Sequence, residues 1–463
     1  MNRAASVFPL LAGLLFGALT LLAGPPIGML AAVAAAAAVF IASQPLRGLL
    51  LFCLLAPALP WMTITLGVRI TTSEAILALT WVGVFFQWLG GRLPDTPRGP
   101  TERAMLRYLA WTIVPLIAGQ FIPQGDGIGP VNWARYLLNV SPIFLVPLLA
   151  SAPRDRERLL VCLLLGFAGL LLISLGYFIK GRDARQMVPL LTALQYARPD
   201  AINDIFSADP TRMASPWVHP NNTGGALLLA APLGLFFGVI HRGWRRALGY
   251  FIFIGAMAGI VFCGSRGALL SMGVFVAWLT YKKTPFAGRG MVIAVFLAAG
   301  LLLVYPPAQK RFVSLFSSGD VSTGVRFDEY AHFPGNALRY PLGVGFKADT
   351  PATVPEKGIY GISNLWLNYW FKLGLPGMLL FIAVTLAWWR EVRMPANFTH
   401  ITPANALRIA TVGTVLAALT TGFMDHYFSF TQVLISLFWL IVALGLQQAR
   451  IAHDSRSLEA PRP

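Results

Sequence analysis

The sequence predicts an all-α fold, a polytopic transmembrane helix bundle of about 12–14 spans with two long loops on its outer side. Three observations predict it. Of the 463 residues, 56% are hydrophobic and only 12% charged, about half the charge of a water-soluble domain. The apolar residues fall in runs near the length of about 20 residues that crosses a bilayer as a helix. The net charge of +17 is dispersed as short Lys/Arg clusters between those runs. That is a topology signal, not the continuous basic stripe of a nucleic-acid binder.

In chain order the expected spans lie near 7–23, 26–43, 47–66, 73–90, 105–121, 132–150, 158–179, 221–240, 247–264, 267–281, 290–306, 363–389, 405–423 and 430–448. The first is read as an uncleaved span because further apolar runs follow at once. Pro57 and Pro60 predict a kink in the third. The pair meeting at Ser265-Arg266 reads either as two spans or as one broken helix. Cys53, Cys162 and Cys263 sit inside apolar runs with no metal-ligand spacing and read as small hydrophobes.

With the N-terminus inside, alternate loops carry Arg92/Arg98/Arg103, Arg154/Arg156/Arg158, Arg242/Arg245/Arg246, Lys282/Lys283/Arg289 and Arg390/Arg393, with Arg450 at the end. The opposite loops 24–26, 122–131 and 424–429 carry no lysine or arginine, and the 67–72 loop has only Arg69. This asymmetry places both termini in the cytoplasm. The organisation it predicts is N-terminal transmembrane helices at 1–179, an outer loop at 180–220 and helices at 221–306. A larger outer loop at 307–362, C-terminal helices at 363–448 and a cytoplasmic tail at 449–463 complete it.

Uncommon polar groups then gather on the outer face. Arg266, in Gly264-Ser-Arg-Gly267, sits between two apolar runs, where a charge costs about 3 kcal/mol and needs a partner or an aqueous cavity. Arg212 precedes Asn221-Asn222, a pair suited to cap the next helix. Two guanidinium groups on one face suit a phosphate-bearing ligand. No Asp-x-Asp occurs, and the few outer carboxylates make a metal site poorly supported. Arg326, Asp328, Glu329 and His332 lie within seven residues. Helical spacing would let Asp328 orient His332 as a base, with Pro334-Gly335 ending any such helix. Asp425-His426 in the last outer loop is a second candidate pair.

Four landmarks in order carry a resemblance. They are Arg212 with Pro220-Asn-Asn222, the Gly264-Ser-Arg-Gly267 break, Arg326 with Tyr340-Pro-Leu-Gly-Val-Gly345, and Ser363-Asn364 followed by Gly374-Leu-Pro-Gly377. The set resembles the O-antigen ligase/O-antigen polymerase superfamily, bacterial membrane enzymes acting on lipid-linked glycans. The resemblance implies a glycosyltransferase C-like ligase fold in the inner membrane and a donor oligosaccharide on undecaprenyl pyrophosphate at the periplasmic face. It further implies transfer to a glycan or lipid A-core acceptor without metal or cofactor, alongside other polysaccharide-assembly proteins and with no nucleic acid. Arg212, Arg266 and Arg326 would hold the pyrophosphate. Ligases of the family carry a histidine immediately before the asparagine corresponding to Asn364, and here that position is Ser363. A serine alone is a poor base near neutral pH, so His426 or His332 would supply it, or the chain would polymerise repeat units instead of ligating them. A lipid-linked oligosaccharide transporter and a non-catalytic assembly partner are the readings from other classes.

Overall fold

The computed structural model describes residues 25–459, apart from 67, 95, 97, 124–126, 182–183, 194–202, 204–211, 215, 305–308, 310–320, 348–349, 360 and 395. The expected span at 7–23 lies outside them. The described chain is mainly α-helical, with one two-stranded hairpin. In order come α1 (Pro25–Ser43), α2 (Pro45–Ala58), β1 (Thr63–Leu66), β2 (Val68–Thr71), α3 (Thr72–Leu89), α4 (Pro100–Trp111) and α5 (Ile113–Gln120). Then follow α6 (Gly129–Val140), α7 (Pro142–Leu149), α8 (Pro153–Ile179), α9 (Val188–Ala193), α10 (Pro220–Ile240), α11 (Gly243–Cys263), α12 (Arg266–Tyr281) and α13 (Ala287–Val304). The last are α14 (Val321–Arg339), α15 (Leu365–Val392), α16 (Pro403–Thr421), α17 (Tyr427–Phe430) and α18 (Gln432–Glu459).

Seven helices among the described residues are long and apolar enough to cross a membrane: α3, α8, α10, α11, α15, α16 and the Gln432–Ala452 part of α18. An eighth span is possible where α1 and α2 meet at a 118° bend. Several expected spans are not continuous, for local reasons. The run at 47–66 ends at Ala58, beyond Pro57, and its β-branched remainder forms the hairpin, with Thr63 opposite Thr71 and Ile64 opposite Ile70. The run at 105–121 divides at Thr112, whose hydroxyl turns back to Leu109 O (2.6 Å) and accepts Trp133 Nε1 (2.8 Å). The run at 132–150 divides at Ser141-Pro142, where the proline has no N–H to continue the ladder. At 16 residues, α12 is short for a span.

The centre is built from α10 and α18, each with 83% of its apolar window buried. A helix apolar on every side belongs in the middle of a bundle. Against α10 packs α11, at very close range. A Cβ on Gly249 would stand 2.4 Å from Gly238 N, so only glycine lets the backbones approach this far. Two groups of charges inside the bundle are paired. Glu74, 1% exposed, caps α3 through Thr71 N (2.7 Å) and accepts Arg135 Nε (2.9 Å) and Asn139 Nδ2 (2.8 Å). At the far end of α18, Arg450 bridges Glu102 (2.6 Å) and Glu391 (3.1 Å).

The described part of the longer loop is not irregular throughout. It contains α14, which runs through Pro334-Gly335 and does not stop there as the sequence suggested. The proline is tolerated because tertiary packing holds the turn. Phe333 is buried with Val344, Ile362 and Phe371, and its ring meets Trp370 edge-on at 5.2 Å.

Candidate functional site

Two of the sequence landmarks prove to be halves of one joint. Gly374 inside α15 has φ 72° and interrupts the helix, and Pro376 beyond it has no N–H to give. The freed carbonyls are all taken: Phe371 O by Val344 N (2.9 Å), Lys372 O by Gly345 N (3.0 Å) and Leu373 O by Trp111 Nε1 (2.8 Å). Glycine is required on both sides. Gly343 has φ 85°, and a Cβ there would lie 2.3 Å from Lys372 O; one on Gly374 would lie 2.5 Å from Pro341 O. The Tyr340–Gly345 turn thus clamps the foot of α14 onto the break in α15.

That clamp sets the remaining geometry. Along α14 the side chains of Arg326, Glu329, Tyr330 and Phe333 fall at helical i, i+3, i+4 and i+7 spacing and share its inner face. Glu329 is 2% exposed. Its carboxylate accepts Ser363 N (2.7 Å) and Ser363 Oγ (3.2 Å), at the entry to α15. Burial raises its pKa above the ordinary carboxylate value, and the two Ser363 bonds and the Arg326 charge pull it partly back. Tyr330 Oη donates to Ser363 O (3.3 Å). The Arg326 Nε is buried and has no hydrogen-bond partner among the described residues. Its charge acts on Glu329, Asp425 and His426 together.

From the other side a second chain of polar groups reaches the same place. Arg212 donates through Nε to Cys263 O (2.8 Å) and through a terminal nitrogen to Asn221 Oδ1 (2.9 Å). Asn221 Nδ2 donates to Asp425 Oδ2 (3.0 Å), and Asp425 Oδ1 accepts His426 N (2.8 Å). The cap of α10 is His219, not the asparagines: its Nδ1 accepts Asn221 N (3.1 Å), which frees the Asn221 side chain for Arg212 and Asp425. An acceptor nitrogen cannot carry a proton, and burial lowers the His219 pKa to about 4. His426 is lowered to about 3 by burial, then by Lys372 and Arg326, while burial raises Asp425.

Arg212 reaches the end of α11, and Gly264, in the left-handed conformation, separates that end from α12, which Arg266 opens. Asp425 and His426 join the Arg212 chain, and Arg326 joins them from α14. Asn364 caps α15, accepting Trp366 N (3.0 Å) and Leu367 N (3.1 Å) and donating to Phe423 O (3.2 Å), so its amide oxygen is used in architecture. His332 lies on the exposed face of α14. Its Nδ1 meets the Asp328 backbone carbonyl (2.8 Å), and its Nε2 lies 3.6 Å from Glu356; the expected Asp328 carboxylate pairing does not form. His426 is close to the cluster, but with a pKa near 3 it is a weak base. The residue that sequence reasoning passed over is Glu329. Its signal was the shared spacing with Arg326, Tyr330 and Phe333, obscured by the assumption that Pro334 ends the helix.

A cavity of about 560 Å³ lies elsewhere, between Trp81, Phe85, Trp88, Phe144, Arg98 and Glu102. Its walls are mostly apolar, and Glu102 is occupied by Arg450. The polar convergence at Ser363, not this cavity, has the groups for chemistry.

Helices of this length and apolarity, with charges joined at one end of the bundle, define a multi-pass membrane protein. Residues 251–382 match the family model described as O-antigen ligase. The similarity to that family rests on this segment, which spans less than a third of the chain. The matched segment runs from α11 into α15 and includes Arg266, Arg326, Glu329, Ser363 and Asn364. Arg212, Asn221, Asp425 and His426 lie outside it. No curated protein matches the chain.

Proposed function

We propose that the protein is an inner-membrane glycan transferase that polymerises repeat units of a surface polysaccharide at the periplasmic face. The donor is an oligosaccharide on undecaprenyl pyrophosphate. The observation that carries this reading is the buried Glu329 carboxylate on Ser363 N and Oγ, where relatives are expected to place a histidine. A carboxylate with a raised pKa is suited to accept a proton near neutral pH.

In the proposed reaction an acceptor hydroxyl at Ser363 gives its proton to Glu329, directly or through the Ser363 hydroxyl. The acceptor oxygen then bonds to the anomeric carbon as the bond from that carbon to the diphosphate oxygen breaks. The diphosphate leaves with the bonding pair. Arg326, with a buried Nε open to a partner, and Arg212 and Arg266 beside the α11–α12 break would hold it and stabilise the charge that develops. Asp425 and Asn221 would orient Arg212. Transfer to lipid A-core is the second reading, and the product separates the two: a ladder of lengths from polymerisation, a single addition from ligation. In cells, Glu329→Gln is expected to abolish polymer and leave lipid-linked repeat units accumulating at the outer face. Repeat units trapped at the inner face would instead favour a transporter.

A further inference from the structure

Lys372 is a charged group beside His426 that the transfer reaction does not use. It lies in the first half of α15, within a span, and its backbone is fixed because its carbonyl accepts Gly345 N (3.0 Å). Its ammonium stands 5.2 Å from the centre of the Phe430 ring, and that ring stacks edge-on against His426 at 5.2 Å. Among the described residues the ammonium has neither a hydrogen bond nor an ion pair. The nearby carboxylates are committed elsewhere: Asp425 to Asn221 and the His426 amide, Glu329 to Ser363. A cation–π contact recovers less than an ammonium loses when held within a span without an anion. Phe430 and Phe423 are 59% and 62% exposed, so the ring under the ammonium faces outward from the bundle.

We propose that Lys372, seated over Phe430, is an anion subsite that takes the phosphate of a membrane lipid at the edge of the site. Its contact differs from those of the arginine groups: Lys372 sits over the Phe430 ring, the Arg212 chain runs through Asn221 to Asp425, and Arg326 approaches from α14. The lipid is either an isoprenoid phosphate or a bilayer phospholipid, since the chemistry recognised is the same. An ammonium suits this role because it acts as a point charge that donates to any phosphate oxygen. With an isoprenoid occupant the subsite deepens the transferase reading, by holding the acceptor's lipid anchor while the arginines hold the donor.

The test is binding, so that it reads independently of transfer. The full chain, in nanodiscs of neutral phosphatidylcholine, is titrated with geranylgeranyl diphosphate, and in parallel nanodiscs its retention of phosphatidylglycerol is measured by native mass spectrometry. Lys372→Met is expected to weaken one of the two by about tenfold, with Lys372→Arg restoring it to within about twofold, and the melting temperature unchanged in both variants. Loss of diphosphate affinity identifies the isoprenoid; loss of phosphatidylglycerol identifies the bilayer lipid. If Lys372→Met leaves both unchanged, the subsite is overturned. If in that case Arg212→Ala still abolishes diphosphate binding, the transferase reading survives its loss.

Discussion

Ser363 gives both its amide and its hydroxyl to the Glu329 carboxylate, at 2.7 and 3.2 Å, across 34 residues of chain. A serine where a histidine is expected thereby gains a buried acid behind it. Ser363→Ala keeps the amide bond and removes only the hydroxyl, so a partial loss of transfer, about tenfold, is expected if Glu329 remains the base. His332→Ala, on the exposed face of α14, should leave the rate within about twofold. Initial rates of sugar transfer by the purified variants check both.

The two histidines of the site are held neutral, His219 near pKa 4 and His426 near 3. Both values lie below the unfolded value of about 6.5. Between pH 6.5 and about 4 the unfolded chain therefore binds protons that the folded chain refuses, and stability falls as the pH falls. The raised Asp425 and Glu329 act with the opposite sign, losing their contribution as the pH rises through their folded values. The melting temperature of a His219→Asn, His426→Asn double variant, followed from pH 7 to pH 4.5, should fall less steeply than that of the unaltered protein.

The clamp between the 340–345 turn and the α15 break depends on backbone contact that no side chain can share. Gly374→Ala places a Cβ 2.5 Å from Pro341 O at φ 72°. Left-handed strain alone costs on the order of 1–3 kcal/mol, and the overlap adds to it. A lowered melting temperature together with increased proteolysis in the 321–345 segment is the expected result.

Within the bundle, Arg135→Ala would leave the Glu74 carboxylate, 1% exposed, without its main partner. Breaking a buried pair from one side costs about 3–5 kcal/mol. Glu74→Gln combined with Arg135→Ala should be less damaging than Arg135→Ala alone, because a neutral amide needs no counter-charge. Thermal denaturation of the single and double variants gives the comparison directly.

The sequence carried the helical bundle and the membrane class because both depend on run length and charge count. The helix break at Gly264 was legible for a similar reason, since glycine beside a polar residue has a local backbone meaning, whereas the break at Gly374 lies inside a run that reads as one span over 363–389. The hairpin at Thr63–Leu66 and Val68–Thr71 was not legible, because its residues are apolar enough to read as the end of a span. The site was half legible. Arg212, Arg326, Asp425 and His426 stood out as rare charges in an apolar chain, and the structure joins them. Glu329 did not stand out: its role depends on burial against Ser363, a contact created by the clamp at Gly343 and Gly374. The Asn221 role was hidden likewise, because His219 takes the cap that local sequence assigns to the asparagines.

The most direct test of the account is a single-turnover transfer assay on purified Glu329→Gln with a defined lipid-diphosphate donor and acceptor, with donor affinity measured in parallel. Loss of the general base predicts a rate lower by at least about 10²-fold with donor affinity preserved. Transfer by Glu329→Gln at the rate of the unaltered protein would contradict the assignment of Glu329 as the group that activates the acceptor.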